Sequence, residues 1–252
     1  GDDNTFIGYA AGDATTTGSF NTALGKNTFS TNTTGQENTA IGREALFANT
    51  TGSNNVAVGQ SSLVANTTAS NNTAVGYDCL RANTTGTRMT SVGARSGMQN
   101  TTGNYNAFFG YDSGESNTTG ASNTFIGDSA GRETTTASSN TAVGQSALLA
   151  NTTGTNNVAV GALALDANTT ANGNIAVGAN SLGSNTTGAS NVGIGHEALG
   201  ANTTANDNTA IGYGSLDANT TGASNTAVGF LSLSANTTGA KNSAFGYGAL
   251  DA

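Results

Sequence analysis

His196 is the only histidine and Cys79 the only cysteine in 252 residues. His196 stands beside Glu197, but a base of this kind needs an oriented nucleophile and a second partner. No second histidine, paired carboxylate column or cysteine spacing supplies a triad or a zinc site. His196 therefore reads as a solvated side chain, and Cys79 as a small core filler. More abundant is Asn-Thr-Thr, at Asn32, Asn49, Asn66, Asn83, Asn100, Asn117, Asn151, Asn168, Asn185, Asn202, Asn219 and Asn236, with Asn71 a further sequon outside this set. Each matches an N-glycosylation acceptor. Each also reads as a turn whose asparagines hydrogen-bond up and down a stack.

These motifs recur because the whole chain recurs. Units begin at Asn4, Asn21, Asn38 and every 17 residues to Asn242, without insertion or deletion. The common unit is Asn-Thr-Ala-Val-Gly-x-x-(Ala/Ser)-Leu-x-Ala-Asn-Thr-Thr-Gly-x-x. A short fixed period predicts a solenoid. Residues 1–252 read as a single continuous repeat array, an excerpt of a longer chain because both ends fall inside a unit. The predicted fold class is all-β, a parallel β-solenoid or β-roll of fifteen 17-residue coils, with two short strands per coil.

Numbering the columns from the repeat asparagine, column 4 is always a sizeable apolar residue, as at Ile41 and Val143. Its β-branched character favours a strand, and it is expected to point inward in every coil. Column 5 is Gly in all fifteen copies, which implies a backbone angle or approach that a Cβ forbids. Column 9 is mostly Leu, as at Leu46 and Leu148. The seven basic and fifteen acidic residues lie in columns 6, 7, 10, 16 and 17, with Glu133 in column 11 the exception. A buried column does not tolerate unpaired charge. The charge-free columns are thus an inside or a covered interface, and the charged columns are solvent faces.

Volume gives a second constraint. Column 3 is Phe at Phe6, Phe108 and Phe125, where column 9 is Gly12, Gly114 and Gly131. Close-packed cores compensate large for small, so columns 3 and 9 should touch. Ser91 with Gly97 is uncompensated, and the flanking Met89 and Met98 are expected to fill that gap. Ile41, Leu46, Val143, Leu148, Phe125 and Gly131 form the predicted core. Columns 3 and 4 point to opposite faces of a strand, and neither carries charge. A thin coil cannot easily bury both, so the expectation is either lateral packing of several chains, most simply a homotrimer, or a coil flattened enough that its turns cover one face.

Asn140-Thr141-Ala142-Val143-Gly144-Gln145-Ser146-Ala147 resembles the head repeats of trimeric autotransporter adhesins. The unit carrying Asn151-Thr152-Thr153-Gly154 is similar to repeat arrays in phage and virus tail fibres and in large bacterial surface proteins. The resemblance covers the whole chain. It implies a trimeric left-handed parallel β-roll, an adhesin head or fibre shaft, at the cell or virion surface. The Asn-Thr-Thr-Gly turn makes the unit longer than the usual adhesin head repeat.

A net charge of -8 with seven scattered Lys and Arg disfavours nucleic acid, which needs basic stripes. No apolar run is long enough to span a membrane, and no motif implies a cofactor. The expected function is a structural segment of an extracellular fibre or filament, without catalysis, that associates with itself or with a glycan or host-surface ligand. Two alternatives stand beside it. One is a filament carrying sugars on the Asn-Thr-Thr column. The other is an ice-binding solenoid using the threonines of columns 13 and 14, although adjacent residues diverge in a strand. The column 6 aromatics Tyr9, Tyr77, Tyr111, Tyr213, Phe230 and Tyr247 read either as a binding stripe or as rings lying over the neighbouring coil.

Overall fold

The computed structural model describes residues 1–251 as an all-β parallel solenoid, with no helix among the described residues. It divides into two compact units, Gly1–Asn123 and Thr124–Ala252. The first holds β1 (Thr5–Ile7), β2 (Thr22–Leu24), β3 (Thr39–Ile41), β4 (Val56–Val58), β5 (Thr73–Val75), β6 (Thr90–Val92) and β7 (Ala107–Phe109). The second holds β8 (Thr124–Ile126), β9 (Thr141–Val143), β10 (Val158–Val160), β11 (Ile175–Val177), β12 (Val192–Ile194), β13 (Thr209–Ile211), β14 (Thr226–Val228) and β15 (Ser243–Phe245). Within each unit consecutive strands pair in parallel, column on column, as in Thr39↔Val56 and Ala142↔Ala159.

One of the two expected strands forms in each coil, over columns 2 to 4. The second segment still bonds from coil to coil, with the Leu148 N–H donating to Ala164 O and the Ala150 N–H to Asp166 O, both at 2.9 Å. It is not a strand because columns 7 and 9 are left-handed in every copy, for example Ser146 at φ 53° and Leu148 at φ 57°. Column 5 takes a different positive angle, such as 135° at Gly144, where a Cβ would strike the Gly161 backbone one coil on. Only glycine occupies that region freely.

The strands bury one face. Column 3 is inside: Ala40, Ala142 and Phe125 are fully buried. Column 4 points out, which corrects the expected core at Ile41 and Val143. Ile41 is exposed and Val143 half-buried. The coil is thin, and column 9 fills its interior from the opposite wall: Leu46 and Leu148 are fully buried. Small alanines in column 3 leave room for these leucines, and outward-facing β-branched residues still suit the strand.

The complementarity of columns 3 and 9 is observed directly. A Cβ on Gly131 would lie 2.5 Å from the Phe125 ring, and one on Gly12 2.6 Å from that of Phe6. The space at Gly97 is taken by Leu80 and Phe108 from the coils on either side, each 2.8 Å from where its Cβ would stand. Neither methionine is the filler there. Met89 is buried in column 1 and Met98 is half-exposed.

Candidate functional site

Two files of asparagine run through each unit. In column 1 each side chain closes its own coil and holds the next. Asn38 Nδ2 donates to Gly52 O at 2.9 Å, while Asn38 Oδ1 accepts the Asn55 N–H at 3.0 Å. In column 12, Asn49 Nδ2 donates to the same Gly52 O at 3.0 Å and to Asn32 Oδ1 at 3.1 Å. One carbonyl thus receives both asparagines of its coil. The pattern repeats at Gly154 O, which accepts from Asn140 at 2.9 Å and Asn151 at 3.0 Å.

Asn32, Asn49, Asn66, Asn83, Asn100, Asn117, Asn151, Asn168, Asn185, Asn202 and Asn219 are fully buried, and Asn236 is half-buried. An Nδ2 donating twice inside a packed coil leaves no room for a sugar, so the geometry favours the turn ladder over the glycan column. Asn71, outside that file, is exposed. Met89 interrupts column 1, where Asn106 Nδ2 meets its thioether at 3.6 Å. Thr15 interrupts column 12, and its buried hydroxyl has no hydrogen-bond partner.

The paired threonines diverge. Column 13 is largely half-buried and its hydroxyls bond the next coil, as Thr152 Oγ1 does to Thr169 O at 3.1 Å. Column 14 is exposed in every copy, as at Thr51 and Thr153. Column 16, expected to be a simple solvent face, contains acceptors that hold the preceding coil. Ser70 Oγ accepts the Ser53 N–H at 3.0 Å, and Asn104 Oδ1 the Thr87 N–H at 2.8 Å. Recurring Ser, Thr and Asn in that column were the available signal.

The column 6 rings lie over their neighbours. His196, Tyr213, Phe230 and Tyr247 form a stack with centroids 5.2–5.3 Å apart and planes within 13°. Stacking covers the faces of the inner rings Tyr213 and Phe230, while Tyr247 at the end is 82% exposed. A sugar packs on a ring face, so the inner rings offer little to one. In the first unit, Lys26 Nζ stands 6.0 Å from the Tyr9 ring centre.

The remaining candidates are structural in their contacts. Cys79 Sγ donates to Ser91 O at 3.2 Å, the bond that Ser62 Oγ makes to Ala74 O at 3.0 Å. Burial pushes its thiol up to about 11, so it is a poor nucleophile at neutral pH. Arg95 bonds Glu115 and stands 3.3 Å from Asp112. Both acids are buried, although most residues of their columns are half-buried or exposed. In the second unit, Gly183 and Gly200 open a notch in column 10 between Asp166 and Asp217, with Glu197 alongside. Desolvation raises both aspartates; for Asp217, Glu197 adds to the rise and His196 opposes it. Among the described residues no group of three or more His, Cys, Asp or Glu is placed to hold a metal.

The outer face of the strands is free of charge. Column 4 presents Val, Ile, Leu or Phe in every copy, beside a column 2 that is Thr in nine of fifteen. Ile126, Ile194 and Ile211 are 37–41% exposed. Among the described residues no helix is long and apolar enough to cross a membrane. No family model matches the chain, and no curated protein is significantly similar to it.

Proposed function

We propose that this chain is a structural segment of an extracellular fibre, an adhesin head or shaft or a tail-fibre shaft, that works without catalysis and associates with copies of itself. The observation that carries this reading is the unbroken coil. Each one spends its polar groups on its neighbours through backbone bonds, two asparagine files and a threonine file. Such a chain gains length and stiffness by repetition. No loop interrupts the 17-residue period, whereas binding and catalytic sites concentrate on loops. The resemblance to adhesin and tail-fibre repeats supports the surface location and the trimer.

Electron microscopy of native material tests the reading. Thin, straight filaments longer than one segment are expected. Compact particles without a filamentous parent would overturn it.

A further inference from the structure

We infer that Asn172 is a self-modification site, where the backbone nitrogen of Gly173 displaces the side-chain amide as ammonia. The inference is independent of the fibre reading.

The first argument is the residue pair. Asn172-Gly173 is the single Asn-Gly step in the chain. An asparagine amide is attacked by the backbone nitrogen of the residue that follows it, and glycine obstructs this least because it has no Cβ. The fold does not require glycine there. Gly173 is in column 17, which is left-handed in every copy and otherwise carries side chains, as at Tyr105 (φ 60°) and Asp207 (φ 61°). A Cβ on Gly173 would meet only Ser190 Oγ, at 3.9 Å.

The second argument is the setting of the amide. Asn172 Oδ1 accepts the Thr155 N–H at 2.6 Å and the Thr155 hydroxyl at 2.9 Å. Two donors on a carbonyl oxygen stabilise the negative charge that develops when a nucleophile adds to its carbon. The Gly173 N–H donates to Thr155 O at 3.1 Å. Thr155 thus holds both reacting groups from the preceding coil. Asn172 and Gly173 are exposed, so water reaches them, and the bond to Gly173 is released by local opening.

The chemistry balances with water alone. Gly173 N gives its proton to hydroxide and bonds to Asn172 Cγ. The bond from Cγ to Nδ2 breaks, and Nδ2 takes a proton from water and leaves as ammonia. A second water opens the cyclic imide. Cleavage of the new bond leaves aspartate, and cleavage of the original peptide bond leaves isoaspartate, whose main chain runs through Cβ and Cγ. Either product replaces a neutral amide by a carboxylate.

The third argument is the contrast with other asparagines. In the same column, Asn104 Oδ1 accepts the Thr87 N–H at 2.8 Å and Asn206 Oδ1 the Ala189 N–H at 2.7 Å, but Tyr105 and Asp207 follow them. In column 12 the amide that would have to leave is held inside the coil, as at Asn49.

The test incubates the full chain, folded and urea-unfolded, in warm, mildly alkaline buffer. Peptide mapping by mass spectrometry and released ammonia follow the conversion. In the folded chain, acid products including isoaspartate should accumulate at Asn172 at least about tenfold faster than at Asn104 or Asn206. Gly173→Ala should remove this excess. Thr155→Val, which keeps the backbone donor and loses the hydroxyl, should slow the folded chain and leave the unfolded chain unchanged. A folded chain that keeps Asn172 intact would overturn the inference, as would equal rates at the three asparagines. A folded rate untouched by Thr155→Val would overturn the part given to Thr155.

Discussion

Two neighbouring stretches fill the same kind of core in opposite ways. Around β8, Phe125 enters from the strand and meets Gly131. Around β9, Ala142 is on the strand and Leu148 enters from the turn. Both large side chains are fully buried, but they stand on different backbones. Leu148 has φ 57°, while at the Phe125 coil the left-handed position belongs to Gly131 at φ 59°. A left-handed L-residue costs about 1–2 kcal/mol, and burying a leucine returns about 1.5–3 kcal/mol. The leucine coil is therefore sustained by packing against its own strain. The phenylalanine coil places its bulk on the unstrained strand and its glycine where glycine is most at ease.

Phe125→Ala breaks that comparison most severely. Gly131 cannot refill the space, so the loss should be about 3–5 kcal/mol in chemical denaturation. Leu148→Ala follows at about 2–5 kcal/mol, toward the lower end because alanine is less crowded at that angle. The swap Phe125→Ala with Gly131→Leu rebuilds an alanine–leucine coil and should recover part of the Phe125→Ala loss. A double variant no better than Phe125→Ala alone would show that columns 3 and 9 do not trade volume.

Asparagine sharpens the same contrast between inside and outside. Asn151→Ala removes the donor to Gly154 O and the acceptor of Asn168 Nδ2, with an expected loss of about 1–3 kcal/mol. Asn71→Ala, on the surface but at φ 63° where asparagine is better tolerated than alanine, should cost no more than about 1 kcal/mol in thermal melts of the two variants.

The smallest effect is expected at Asp217→Asn, within about 0.5 kcal/mol at neutral pH. Because folding raises the Asp217 pKa, the wild-type carboxyl favours the folded state more as pH falls from neutral through its folded value. That gain is complete below the unfolded value. The asparagine variant should lack this part of the pH dependence. An unchanged profile of melting temperature against pH would contradict the desolvation of Asp217.

Much of this architecture was legible from the columns. The period gave the solenoid, the glycine of column 5 marked a special backbone angle, and the pairing of Phe with Gly identified a real contact. The facing of columns 3 and 4 was not legible, because both are apolar and free of charge. Apolarity says that a residue avoids water but not whose surface covers it. The second strand failed for a related reason. Leu in column 9 looks like a strand residue, and only the fold shows it held at a left-handed angle. The asparagine ladder was one of two readings of Asn-Thr-Thr, and burial of Nδ2 favours it.

The direction of the hydrogen bonds has a mechanical consequence. In each unit they run from coil to coil, as from the Thr39 N–H to Asn55 O and from the Gly59 N–H to Ile41 O, both 2.8 Å. A pull along the stack stretches these bonds directly instead of shearing them, and the boundaries bear the load in series. The boundary with the fewest side-chain bonds yields first. At Thr15 in one unit and Thr134 in the other the asparagine rung is missing: Asn32 Nδ2 bonds Gly35 O at 3.2 Å, Asn151 Nδ2 bonds Gly154 O at 3.0 Å, and both threonine hydroxyls are unpaired. Each coil that opens frees 17 residues, which extend by about 50 Å beyond the pitch they occupied. Under tension such a stack lengthens in equal steps, dissipating force one coil at a time before any covalent bond is threatened.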